Sequence, residues 1–146
     1  PLTLDAMRIS TLICYEDVLP RFTRSAVREA RPNLLVNITN DAWFGDTQEP
    51  YIHLAMAKLR AVEHHRALVR ATNSGVSALI SPTGATIAES GVLTRENLAA
   101  ELPLIERRTL FELVGPFPAY LAIAAAFGAF FRARSKRTKA KDRSSE

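Results

Sequence analysis

The chain has one thiol, Cys14, in the stretch "LICYEDVLP" (residues 12 to 20), where an apolar run ends and Tyr15, Glu16 and Asp17 follow at once. A strand running into a cysteine, with a helix soon after, is the geometry of a nucleophile at a strand-to-helix turn. The side chain then stands at the end of a sheet, and the next N–H, that of Tyr15, points at a developing oxyanion. The thiolate is the reactive form and needs a nearby cation or helix terminus. Glu16 and Asp17 work against it. Either a positive group compensates them, or Cys14 is only packing, and residue types alone leave both readings open.

The other reactive side chains are less suggestive. Adjacent helical positions point about 100° apart, so His64 and His65 do not share a ligand face. With His53 they read as exposed or hydrogen-bonded histidines. No zinc-type spacing occurs, and no metal or other cofactor is expected. A single cysteine excludes an internal disulfide. The formal charge of +4 resides in the tail, because seven basic residues and only two acidic ones follow Phe131. No aromatic residues are interleaved there, so nucleic acid is not an expected partner.

Elements able to position Cys14 are legible around it. "RISTLIC", Arg8 to Cys14, alternates and is rich in β-branched residues, which predicts a strand entering a core. A helix is expected from about Pro20 to Ala30, with Val18, Phe22, Ala26 and Val27 near one face, before the break at Arg31-Pro32-Asn33. "LLVNIT", Leu34 to Thr39, reads as a second buried strand, followed by the polar loop "NDAWFGDTQEP", Asn40 to Pro50. Tyr51 to Leu68 is the clearest helix, its apolar content being Leu54, Met56, Ala57, Leu59, Ala61 and Val62. Strands are expected at Val69 to Thr72 and Val76 to Ile80, joined through "NSG", then at Thr86 to Glu89 and Asn97 to Leu102. This alternation predicts a layered α/β domain.

Leu113 to Phe131 contains no charged residue over 19 positions, which is about 28 Å of helix against a hydrocarbon core of about 30 Å. Basic residues after it suit the cytoplasmic side of a span, and Pro116 and Pro118 sit where a helix start tolerates proline. The expectation is one transmembrane helix with the α/β domain on the opposite, outer side. An accidental free thiol is disfavoured in that oxidising compartment.

"ICYED" and "LLVNITNDAWFGDTQEPYIHLAMAKLRAVEHHRALVRATNSGVSALISPTGATIAES" together resemble the nitrilase, or carbon–nitrogen hydrolase, superfamily over nearly all of residues 7 to 135. "NDAWFGD" and the terminal apolar segment resemble its branch of membrane acyltransferases that N-acylate apolipoproteins. The resemblance implies part of a nitrilase-like αββα sandwich followed by one carboxy-terminal transmembrane helix. Residues 1–109 would be the carboxy-terminal part of the catalytic domain, 110–131 the membrane helix and 132–146 a basic cytoplasmic tail. The catalytic domain would face the periplasm at a bacterial inner membrane. Cys14 matches the cysteine of the superfamily's Glu–Lys–Cys triad. The triad glutamate and lysine precede it in chain order, so the chain is expected to be a piece of a longer enzyme, inactive alone. Lys58 does not match the triad lysine, and Glu63 matches a helix position rather than the general base. Tyr15 and Glu16 would support the site, and Trp43 and Phe44 would border an acyl-chain entrance or merely cap a core. The implied partners are a phospholipid acyl donor, a diacylglyceryl-apolipoprotein acceptor and the membrane. A membrane-tethered amidase-like hydrolase and a non-catalytic anchored module are the alternatives.

Overall fold

The computed structural model describes residues 1–143, with side chains described as far as Arg132. The basic tail expected over 132–146 therefore lies, apart from Arg132, outside the described side chains. The chain forms two compact units, Pro1–Leu113 and Val114–Glu146.

The first unit is built on one six-stranded sheet in which spatial order follows chain order. Its strands are β1 (Leu2–Leu4), β2 (Met7–Ile13), β3 (Leu34–Thr39), β4 (Ala67–Thr72), β5 (Ala78–Ile80) and β6 (Thr86–Glu89). β2, β3 and β4 run parallel, while β1 and the β5–β6 pair join antiparallel at either side. Parallel neighbours require long crossovers, and two helices supply them, α1 (Pro20–Ala30) and α2 (Glu49–His64). Both helices end on a left-handed residue, Arg31 at φ 45° and His65 at φ 50°, which terminates them cleanly.

Strand parity sorts the sheet into two faces. Leu35, Leu68, Ala78 and Ile80 point under the helices and meet Val27, Leu54, Ala57 and Ala61 in one apolar core. On the opposite face Thr11, Ile13, Ile38 and Ala71 are exposed, and Ile9, Val36 and Val69 are half-buried. One helical layer and one sheet are thus present among the described residues, a mixed α/β fold.

Several expectations shift. β1 and the start of β4 extend the reading, and Asn97 to Leu102 forms no strand. The buried face of α1 is Thr23 and Val27, whereas Phe22 is exposed. In α2, Leu59 and Val62 face outward, and His53, Arg60 and His64 share the buried stripe with Leu54, Ala57 and Ala61. The charge-free stretch is not one helix. α3 (Leu110–Val114) stops, Gly115 turns at φ 60°, and α4 (Phe117–Arg143) begins anew at a proline-flanked start. The apolar part of α4, Phe117 to Phe131, covers fifteen residues, or about 22 Å. Among the described residues no helix is long and apolar enough to cross a membrane.

Candidate active site

β2, β3 and β4 deliver their carboxyl ends to one rim, the usual place for chemistry in parallel sheets. Cys14 is the first residue past β2 and opens a 3₁₀ turn, Cys14–Val18. It is a free, half-buried thiol at φ 52°. Left-handed backbone costs a side-chain-bearing residue roughly 1–2 kcal/mol, so something must hold it. Glu16 does so from the outside, its Oε2 accepting the Ile13 N–H at 2.7 Å. Asn37 does so from below, donating Nδ2 to the carbonyls of Leu12 and Cys14, both at 3.1 Å.

Asn37 is itself positioned by register. Leu12, Asn37 and Arg70 are cross-strand partners in one row under the helices. Arg70 NH1 donates to Asn37 Oδ1 and to Asp17 Oδ2 at 2.7 Å, while NH2 donates to Asp41 Oδ2 at 2.9 Å. His53, from α2, joins the same two carboxylates, Nε2 lying 3.0 Å from Asp17 Oδ1 and Nδ1 3.1 Å from Asp41 Oδ1. Asp17, Arg70, Asp41 and His53 therefore close a four-membered ring of buried polar and charged groups, each at most 1% exposed. Such burial is tolerable only because every charge has opposite charges in hydrogen-bond contact. Thr39 Oγ1 adds a further bond to Asp41 at 3.1 Å, and Gly75 leaves room for it: a Cβ there would lie 2.3 Å from Asp41 Oδ2.

Asp17 is bound by Arg70 and lies against His53 within the fold, and Glu16 is engaged by backbone. Tyr15 covers the ring, stacked on His53 with centroids 4.6 Å apart and planes 15° apart. Partial burial, then the nearby Glu49 and Asp41 carboxylates, push its phenol above the ordinary value of 10.0. Phe44 meets Tyr15 edge-on at 6.3 Å, which places the 40–50 loop beside the Cys14–Val18 turn. Trp43 on the same loop is 85% exposed. The loop is anchored at its base, where Asn73 accepts the Asp41 N–H at 3.2 Å and donates to Asn40 at 2.8 Å.

The structure thus brings Cys14, Tyr15, Glu16 and Phe44 together and leaves Trp43 at the surface. Sequence reasoning missed Asn37, Asp41, His53 and Arg70. A signal was present: Asn37 and Arg70 share the parity of Leu35 and Leu68 within buried strands, and a polar side chain there demands partners. Glu63 lies elsewhere, on the far part of α2. Burial raises its pKa above 4.5 despite the Arg60 guanidinium at 2.8 Å. His64, expected to be exposed or hydrogen-bonded, is buried with both ring nitrogens lacking a hydrogen-bond partner. Burial first, then Arg60, Arg66 and Arg24, push its pKa down to about 4. The neutral ring makes no salt bridge with Glu112 at 3.8 Å.

The family model for carbon–nitrogen hydrolases matches residues 1–110. The chain belongs to the carbon–nitrogen hydrolase family. The fold agrees: a carbon–nitrogen hydrolase from Helicobacter pylori G27 superposes with a TM-score of 0.60 at 12% identity, over 68% of this chain and 41% of that one. Among curated relatives, the apolipoprotein N-acyltransferase of Bradyrhizobium diazoefficiens is 44% identical over 79% of this chain and 21% of its own length. That of Rhodopseudomonas palustris is 42% identical over 77% and 21%, and that of Geobacter metallireducens 39% over 82% and 23%. This carbon–nitrogen hydrolase chain spans about a fifth of the length of the relatives it matches.

Proposed function

We propose that the chain is the nucleophile-bearing part of an apolipoprotein N-acyltransferase. The observation that carries this reading is Cys14, held left-handed at the end of β2 in a chain about 40% identical to enzymes of that name. The Cys14 thiolate attacks the ester carbonyl of a phospholipid acyl chain. The tetrahedral oxyanion accepts the Tyr15 N–H. The ester C–O bond breaks, a protonated lysophospholipid leaves, and the acyl group remains as a thioester on Cys14. The amine of a diacylglyceryl-cysteine at the start of an apolipoprotein then attacks, an amide forms, and the thiolate is expelled.

A general base and a second oxyanion donor complete the cycle. By resemblance they are a glutamate and a lysine preceding the cysteine. The fifth of its relatives' length that the chain spans and the open sheet face support one arrangement. The remainder of the longer protein supplies both residues and a second sheet over Ile13, Val36 and Ile38, since parallel sheets are normally covered on both faces. Trp43 and Phe44 would border the acyl chain's entry. A membrane role is supported by the exposed apolar residues of the second unit, Phe117, Leu121, Ile123, Phe127, Phe130 and Phe131, with the basic run after them on the cytoplasmic side and the sheet unit outside.

The test is Cys14→Ser in the full-length protein. The nearly isosteric change is expected to preserve folding and abolish both acyl-enzyme formation and lipoprotein N-acylation. Normal N-acylation by the variant would refute the assignment. Ammonia release from amides without acyl transfer by the wild type would replace it with an amidase.

A further inference from the structure

We propose that His53 is a positioning residue, which through the buried ring aims the Tyr15 N–H at the oxyanion; this rests on the acyl-transfer reading of Cys14. The peptide unit between Cys14 and Tyr15 has two ends. Its carbonyl is gripped by Asn37 Nδ2 at 3.1 Å. In a planar trans peptide the N–H points opposite to the carbonyl, so the Tyr15 N–H is turned away from Asn37. At the start of a 3₁₀ turn that N–H has no intrahelical acceptor, which leaves it for a ligand. Its aim then depends on two anchors. One is Asn37, whose orientation is set by Arg70. The other is the Tyr15 side chain, which rests on His53.

His53 is a rigid support because neither ring nitrogen is free. Each faces a carboxylate oxygen whose partner oxygen is bound by Arg70. Both ring nitrogens thus lie within hydrogen-bond distance of a carboxylate oxygen, so rotation of the ring about its own axis would disrupt two contacts at once. His53 bonds Asp17 and Asp41 and stacks on the ring of Tyr15, so its effect passes through Tyr15.

The experiment compares wild-type full-length enzyme with His53→Phe and His53→Gln. His53→Phe keeps an aromatic surface under Tyr15 but leaves both carboxylates short of a partner. His53→Gln keeps hydrogen-bonding capacity but removes the stack. Each is expected to lower kcat by about 10–100-fold, less than loss of an oxyanion donor, with KM for the phospholipid changed less than about twofold. An unchanged kcat, or a loss carried wholly by KM, would overturn the proposal. Should either variant fail to fold, Tyr15→Leu in the full-length enzyme decides, since it keeps the backbone N–H and removes the ring that rests on His53: a kcat loss with KM nearly unchanged supports the proposal, and an unchanged kcat overturns it. Mass analysis of wild-type enzyme with donor lipid separates the two layers. A missing Cys14 thioester defeats the acyl-transfer reading, whereas a thioester with normal kcat in both variants defeats only the role of His53.

Discussion

At His64 the fold opposes a proton. Its pKa falls from 6.5 to about 4 through burial and three neighbouring arginines, so the unfolded chain binds a proton that the folded chain refuses. Stability is then full above pH 6.5 and lost as pH falls toward 4, by about 3 kcal/mol at 1.36 kcal/mol per unit. The urea midpoint should drop between pH 7 and pH 4.5, and His64→Leu should remove most of that drop, since its nitrogens have no hydrogen-bond partner to lose. Glu63 tilts the profile the other way. Its raised pKa gives a contribution present at low pH and lost as pH rises through the shifted value. At Gly75 the constraint is space. Gly75→Ala forces a Cβ onto Asp41, and thermal unfolding should show a loss of about 1–3 kcal/mol, with the proposed acyl transfer of the full-length protein falling alongside. Cys14 was legible because apolar residues stop and polar ones start there. The ring beneath it was not, because Asp17, Asp41, His53 and Arg70 lie far apart in sequence, and only strand register and the α2 stripe bring them together.

Elements were more legible than residues. α1 and β3 follow from Pro20, the Arg31-Pro32-Asn33 break and the run "LLVNIT", all local signals. The stretch 97–102 pairs with no strand, and pairing is not a local property. α3 is likewise set by distant residues. Arg24 of α1 donates to the carbonyls of Phe111, Glu112 and Leu113 at 3.1, 3.0 and 2.8 Å, and Thr109 donates to the Glu63 carbonyl at 2.6 Å. A guanidinium on terminal helix carbonyls stabilises by charge as well as by hydrogen bonds. Arg24→Ala should cost about 1–2 kcal/mol and speed hydrogen exchange at Leu110–Leu113 while β3 and β4 stay protected. Equal protection of α3 in both proteins would show that Arg24 does not hold it.

At the scale of the molecule, the second unit carries an exposed apolar surface on a helix whose charge-free part is only fifteen residues. If the segment enters a bilayer as proposed, an arginine at Ala124 should weaken insertion by roughly 2.5–3.5 kcal/mol. A reporter fused after Glu146 should fluoresce only from the cytoplasm. Signal from the outer side would reverse the orientation and put Cys14 away from the proposed lipoprotein acceptor. The backbone at Cys14 reaches further. Its φ of 52° is one that glycine adopts without strain, and glycine's greater freedom when unfolded, roughly 0.5–1 kcal/mol, only partly offsets a relief of about 1–2 kcal/mol. Cys14→Gly should therefore melt slightly higher than the wild type while being unable to form a thioester. A screen for thermostability alone would discard the proposed nucleophile, and only selection for turnover would keep a cysteine where the chain rests more easily without a side chain.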